Sequence, residues 1–448
     1  MLDKLSKIFR TDQILISKQD LSLFNYDASN YEGDSLAIVR PESIEEIRDL
    51  ILFAKRHDFT ITPRGSGTSL TGASSPTGTV VLDMSYFNKI RAINQQEGWA
   101  EVEPYVTVDR LNAFLSKESF FFPINPSSHM VASLGGMAAT NASGSYSYRY
   151  GAMKEWIIGL EYVDGTGKTY YVDENNSFRD MIGSEGCFGI ITKLRLRLTK
   201  KIEKIAMGYY RFSNMKALLG KMTLLEAGEH NARILAMEFI SRSAYISNPG
   251  YDLLVEYDIS DYILSESEEK KYFEDKHVQH KKRIFDIFSG KKKEEIPETK
   301  NGSKYPWSIY GEDVQKMKAK RENLGAQIIA RKYLIMEDPK IPRDKTHEFV
   351  KFCDDNDIPL FGHIGKGIFH PNFKTDEREK IGKMFDLVEK LGGKVTGEHG
   401  IGYDKKKYLK EEEKKIFSEL KSKYDPEFLL NPDKISDGPR TGQQKKHK

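Results

Sequence analysis

Two textures of apolar and polar positions divide this chain. Between residues 36 and 200, short apolar runs alternate with stretches whose apolar residues recur every three or four positions. Ile44, Ile47, Leu50, Ile51 and Ala54 share one face of a predicted helix. Ser43 and Glu46 form a capping box for its first N–H groups. The run Phe59-Thr60-Ile61-Thr62 predicts a strand entering a glycine-rich turn, and Val80-Val81-Leu82 a second strand. Leu111, Phe114 and Leu115, around Asn112, mark another amphipathic helix. From about 205 to 345 the spacing changes: 209–212, 234–240 and 253–257 read as strands grouped with helices, which predicts an antiparallel sheet in an α+β domain. The Lys- and Glu-rich stretch 265–304 predicts a solvated helix and a mobile loop, and the tail 438–448 predicts disorder.

At 448 residues the chain exceeds what one hydrophobic core supports, so two or three domains are expected. The 69 basic and 66 acidic residues leave a net charge of +3, too small to argue for a nucleic-acid partner. Two cysteines, Cys187 and Cys353, cannot build a disulfide framework or an iron–sulfur site. No run approaches the roughly 20 apolar residues of a membrane helix, and Met1 to Leu5 does not open a signal peptide, so a cytoplasmic protein is expected.

Three small-residue segments carry candidate chemistry. In Pro63-Arg64-Gly65-Ser66-Gly67-Thr68-Ser69-Leu70-Thr71-Gly72, Gly65 and Gly67 permit consecutive N–H groups to converge on an anion. Ser66, Thr68 and Ser69 add hydroxyl donors, but no Gly-Lys-Ser/Thr closes a Walker loop. An ordinary turn after a strand fits this segment equally well. The second segment runs from Pro126-Ser127-Ser128 to Ser133-Leu134-Gly135-Gly136, Asn141-Ala142 and Gly144. Such residues fill a core poorly and suit close approach to a flat ligand. The third is Gly183-Ser184-Glu185-Gly186-Cys187-Phe188-Gly189-Ile190-Ile191. Three such segments together need an offset for their backbone entropy.

Of ten histidines, three lie in glycine-flanked settings near the end of the chain. They are His363 and His370, around Gly365 and Gly367, and His399 in Gly397-Glu398-His399-Gly400. Two imidazoles and the Glu398 carboxylate make a three-ligand set compatible with zinc, manganese or iron. Structural histidines explain the same spacing as well, because no His-Glu-x-x-His is present.

The order of the glycine segments resembles the FAD domain of FAD-linked oxidases of the vanillyl-alcohol-oxidase type. The resemblance implies a two-subdomain FAD-binding domain plus an α+β substrate (cap) domain, with boundaries at 1–204, 205–410 and a returning C-terminal segment at 411–448. It implies that Arg64, Gly65, Ser66, Gly67, Thr68 and Ser69 hold the pyrophosphate. Pro126, Ser133, Leu134, Gly135, Gly136, Asn141, Ala142, Gly144, Glu185, Gly186, Gly189, Ile191 and Asn431 would lie along the cofactor. With Thr68 where many relatives carry a flavin-linking histidine, non-covalent FAD is implied.

His363-Ile364-Gly365-Lys366-Gly367-Ile368-Phe369-His370-Pro371-Asn372 and the Gly-Glu-His-Gly motif resemble signatures of FAD-linked D-lactate dehydrogenases, glycolate oxidase flavoprotein subunits and D-2-hydroxyglutarate dehydrogenases. By that resemblance His363, His370 and Glu398 are metal ligands and His399 is the general base. Arg321 and Asn372 would contact a small D-2-hydroxy acid. Electrons would pass to an electron-transferring flavoprotein, a quinone or an iron–sulfur partner subunit. Lys366, Ile368 and Met336 depart from the family pattern, with Lys340 or Lys366 able to replace the cation that Met336 lacks. These departures favour an acid without a second carboxylate. A metal-free alcohol or sugar oxidase and a non-catalytic electron-transfer subunit are the competing readings.

Overall fold

The computed structural model describes residues 2–29, 31–174, 179–228, 233–244, 250–260, 309–310 and 312–436. The Lys- and Glu-rich stretch up to 304 and the tail from 438 lie outside the described residues. The chain divides into two compact units: one contains 1–144, 150–201 and 395–448, the other 145–149 and 202–394.

The first unit holds two larger sheets and a two-stranded one that pairs Phe120–Phe121 with Thr199–Lys200. Asp34–Val39, Thr77–Asp83 and Ile61–Arg64 run parallel, and Ile14–Leu15 joins them antiparallel at one edge. Parallel strands need crossovers. Helix Ile44–His57 supplies one, burying Ile47, Leu50, Ile51, Phe53 and Ala54 with Val39, Val80 and Leu82. Each fully buried aliphatic side chain here contributes roughly 1.5–3 kcal/mol. Ser43 caps the helix by accepting from the Glu46 N–H at 3.2 Å, but the Glu46 carboxylate takes the N–H of Glu42 at 2.6 Å, so the expected reciprocal box is only half formed. The left-handed Asp58 (φ 52°) ends the helix, and the next strand starts at Ile61 rather than Phe59. The second sheet is antiparallel, ordered Ile90–Asn94, Trp99–Val102, Gly189–Arg197, Ile157–Asp164, Thr169–Asp173. Helix Val108–Leu115 buries Val108, Leu111 and Leu115, whereas Phe114, expected on that face, is 60% exposed.

The second unit is built on an antiparallel sheet of seven strands. Their order is Ile309–Tyr310, Ile205–Phe212, Tyr251–Asp258, Arg233–Ile240, Leu360–His363, Ile368–Phe373, Ile335–Met336. Helix Glu312–Ala330 packs Val314, Met317, Leu324 and Ile328 against Met207, Tyr209 and Leu254. The whole is α+β, with antiparallel sheets in both units. No helix among the described residues is long and apolar enough to cross a membrane.

Candidate active site

In the first unit the three glycine segments meet. Strand Ile61–Arg64 delivers the loop that begins at Gly65, where a Cβ would lie 2.2 Å from Ser133 Oγ. Among the described residues, no backbone N–H from Gly65 to Leu70 is bonded to a protein acceptor. Six consecutive donors on a loop without side-chain bulk fit a pyrophosphate. Arg64 is turned away from this role: its guanidinium donates to the carbonyls of Tyr26 (2.7 Å) and Ser74 (3.1 Å) and lies over the Phe24 ring. Gly67 (φ 70°) leaves it that space, since a Cβ there would stand 2.3 Å from a guanidinium nitrogen. The Ser69 hydroxyl accepts from the N–H groups of Thr71 and Ala73, stapling the turn from inside.

Helix Leu134–Thr140 starts at Ser133 and ends at the left-handed Asn141, whose Oδ1 accepts from the Lys154 N–H. Gly135 and Gly144 sit where a Cβ would overlap Pro104 and the Asn125 carbonyl. The third segment is bonded to that helix through Gly183 N–H to Ala138 and Glu185 N–H to Ala139. Asn431 closes the crossing by donating to the carbonyls of Ala73 (2.9 Å) and Glu185 (2.6 Å). Ala142, Gly186, Gly189 and Ile191 are buried, and Pro126 is half-buried. Ser66 and Thr68 remain partly exposed on the first loop. A glycine-lined, tightly stitched crossing with open N–H groups fits a long dinucleotide such as FAD.

Glu398 and His399 lie in the same unit, in the segment that follows Val395. Ser143 donates to the Glu398 carboxylate at 2.6 Å, fixing a group that the sequence singled out through a residue that it did not. His399 Nε2 stands 3.6 Å from Glu398 Oε1, too far for a hydrogen bond.

The second unit carries the other two histidines on a hairpin. His370 pairs across with Phe361, and His363 is two residues from Phe361, so both imidazoles project from one face. Their ring centroids are 5.4 Å apart at 89°. On the neighbouring strand Arg233–Ile240, Glu238 accepts from His363 Nδ1 at 2.5 Å and pairs with Arg321 through its other oxygen. A carboxylate on Nδ1 selects the tautomer whose lone pair is on Nε2, the arrangement found behind metal-bound imidazoles. Burial pushes the Glu238 carboxyl up, but Arg321 and His363 outweigh it and hold the group at about 2. Arg321 thus reaches a protein carboxylate, and Asn372 donates to the carbonyls of His370 (2.7 Å) and Pro359. One turn before Arg321 on the same helix, Lys318 pairs with the buried Glu256 at 2.6 Å and donates to Tyr146 OH at 2.7 Å.

Glu238 and Glu256 are missing from the sequence reading, although each is a single carboxylate in an otherwise apolar strand, Ile234 to Ile240 and Leu253 to Tyr257. That signal could have found them, because a charge is retained in a buried strand only with a partner. Of the departing positions, Met336 pairs with Asn372 on the edge strand, Lys340 bridges Lys394 through backbone, and Lys366 ends the short turn after His363. That turn packs on Tyr148: a Cβ on Gly365 would lie 2.4 Å from the ring. Gly365→Ala is therefore expected to lower stability by about 1–3 kcal/mol through overpacking. Denaturant unfolding followed by tyrosine fluorescence checks this, and an unchanged midpoint would rule out the clash.

Residues 35–173 match the FAD binding domain model and residues 309–435 the model for the C-terminal domain of FAD linked oxidases. The glycolate oxidase subunit GlcD of Bacillus subtilis is 29% identical over 445 residues, covering 92% of each chain. The D-2-hydroxyglutarate dehydrogenase of Stutzerimonas stutzeri is 24% identical, covering 97% of this chain and 98% of its own. The D-lactate dehydrogenase of Anaerostipes hadrus is 24% identical, covering 97% of both chains. A solved alkyldihydroxyacetonephosphate synthase shares the fold, with a TM-score of 0.66 at 19% identity over 96% of this chain and 84% of its own. Fold and loops together define a flavin-dependent oxidoreductase. The chain carries an FAD binding domain and the C-terminal domain of FAD linked oxidases.

Proposed function

We propose that this protein oxidises a small D-2-hydroxy acid, of the D-lactate or glycolate type, to the corresponding 2-oxo acid. The observation that carries the reading is His363 beside His370, with its ring held on the Nδ1 side by a buried, ionised Glu238. An ion pair among apolar strands costs desolvation, and orienting a ligand imidazole is a function that offsets it. His363, His370 and Glu398 are the proposed ligands of a divalent ion: zinc, manganese or iron. When bound, the ion supplies a Lewis acid and FAD supplies a two-electron acceptor.

The protein's own residues then have separate tasks. The backbone from Gly65 to Leu70 holds the pyrophosphate, and the crossing of helix Leu134–Thr140 with loop 183–189 supports the flavin. Ser143 orients Glu398. His399 takes the hydroxyl proton of the acid on its imidazole, the side chain most often used as a general base. Arg321, turned to Glu238, acts through His363 in this reading, and with the Asn372 amide engaged by the carbonyls of His370 and Pro359, a direct contact with the substrate carboxylate is left to Lys366. The Met336 position favours an acid without a second carboxylate. Electrons leave to a separate acceptor: an electron-transferring flavoprotein, a quinone or an iron–sulfur partner.

Anaerobic titration with D- and L-2-hydroxy acids, before and after chelation, tests the proposal. Bleaching of the flavin by a D-acid, lost on metal removal and restored by a divalent ion, is expected. A protein that stays yellow with every acid would overturn it. His370→Ala is expected to lose most of its metal while keeping FAD, since removing one of three ligands cripples a site. Unchanged metal content by elemental analysis would dismiss the ligand assignment.

A further inference from the structure

Glu185 lies on a loop that the family places along the cofactor, yet its carboxylate is engaged elsewhere. It is buried, and its two oxygens accept from the backbone N–H groups of Ile401 (2.5 Å) and Gly402 (2.7 Å). Its own N–H donates to the Ala139 carbonyl at 2.7 Å, and its carbonyl accepts from Asn431 Nδ2 at 2.6 Å. One residue therefore ties helix Leu134–Thr140, the closing segment at Asn431 and the stretch just after His399. The approach is close: at Gly400 (φ 87°) a Cβ would stand 2.6 Å from Glu185 Oε1. Glu185 is itself left-handed at φ 51°, a conformation that a non-glycine residue keeps only when its surroundings hold it there.

We propose that Glu185 is a positioning residue for His399, setting the place of its imidazole through the N–H groups of Ile401 and Gly402. The inference rests on the reading of His399 as the base. Two residues of chain span at most about 7 Å, so a shift of the clasped N–H groups is passed to the imidazole with little loss. A misplacement of about 1 Å at a reacting group can cost on the order of 10²-fold in rate. Burial pushes the Glu185 carboxyl up to about 7, opposed by the two N–H donors and by Lys405 and Lys434. A buried carboxyl kept at that expense has to earn its place through what it holds.

Glu185→Gln in the full-length, FAD-loaded protein tests this. Glutamine keeps the shape but sets an amide donor against one of the two N–H groups, so one bond is lost and two donors face each other. FAD content and the flavin spectrum are expected to be retained. The rate of anaerobic flavin reduction is expected to fall about 10–100-fold, with KM for the acid changed less than about threefold. In the His399→Ala background the same substitution is expected to add no further loss, because two residues acting through one group are not additive. Glu185→Asp, which keeps the charge and retracts it by one methylene, serves if the glutamine variant fails to fold, with a smaller loss expected. An unchanged rate in Glu185→Gln, or an equal fold-loss with and without His399, would overturn the inference. A His399→Ala protein that reduces its flavin normally would instead overturn the base assignment, which keeps the two failures apart.

Discussion

In the His399→Ala protein, FAD and the proposed metal are expected to stay bound while anaerobic flavin reduction by the proposed D-2-hydroxy acid is expected to slow about 10²–10⁴-fold, the usual worth of a positioned general base. The side chain is mostly buried, and neither the glycine loops nor the donors proposed for the metal depend on it: Ser143 orients Glu398, and Glu238 orients His363. Its removal is therefore expected to spare folding and cofactor. Stopped-flow absorbance of the oxidised flavin measures the effect directly, ahead of any electron acceptor. Raising the pH should restore part of the rate, as solvent hydroxide replaces the lost base. A reduction rate within threefold of the unaltered protein would take His399 out of the mechanism.

Lys421→Met is expected to produce the largest loss of stability, about 3–5 kcal/mol, by leaving one half of a buried ion pair without the other. Lys421 Nζ lies 2.6 Å from Asp425 and donates to the carbonyls of Cys187 (2.8 Å) and Leu430. Asp425 in turn accepts from the N–H groups of Leu429 (3.0 Å) and Leu430 (2.8 Å), and both side chains are almost wholly inaccessible. Methionine fills the volume but satisfies neither the carbonyls nor the carboxylate. Because Cys187 belongs to the third glycine segment, the loss should appear first as release of flavin at a lower temperature. The double replacement Lys421→Met with Asp425→Asn should lose less than the single one. A release temperature equal to that of the unaltered protein would show that the pair carries no net stabilisation.

Much of the fold was legible because its causes are local. Helix Ile44–His57 follows from one apolar face and a serine cap, and strand Thr77–Asp83 from the apolar run Val80-Val81-Leu82. The glycine segments were legible for a related reason. A position such as Gly67 or Gly186 needs a positive φ that other residues resist, so the requirement is written into residue type. The candidate site was only half legible. His363, His370, Glu398 and His399 declare themselves by chemistry and by flanking glycines, whereas their orienting partners do not. Ser143 is one small residue among many, and Glu238 is 125 positions from His363.

The sequence by itself determined the helix from Ile44, the strands around Val80-Val81-Leu82, 209–212, 234–240 and 253–257, the three glycine segments, and which side chains have metal-ligating and proton-transferring chemistry. Periodicity, cap residues and backbone freedom act within a few residues and need no knowledge of the rest of the chain. Only the tertiary structure decided where the charges on those segments are spent. Arg64 goes to the carbonyls of Tyr26 and Ser74, Arg321 to Glu238, and Glu185 to Ile401 and Gly402. A buried polar group must find a partner, and which partner lies within reach depends on strand order and loop crossings that bring together residues 10 to 217 positions apart.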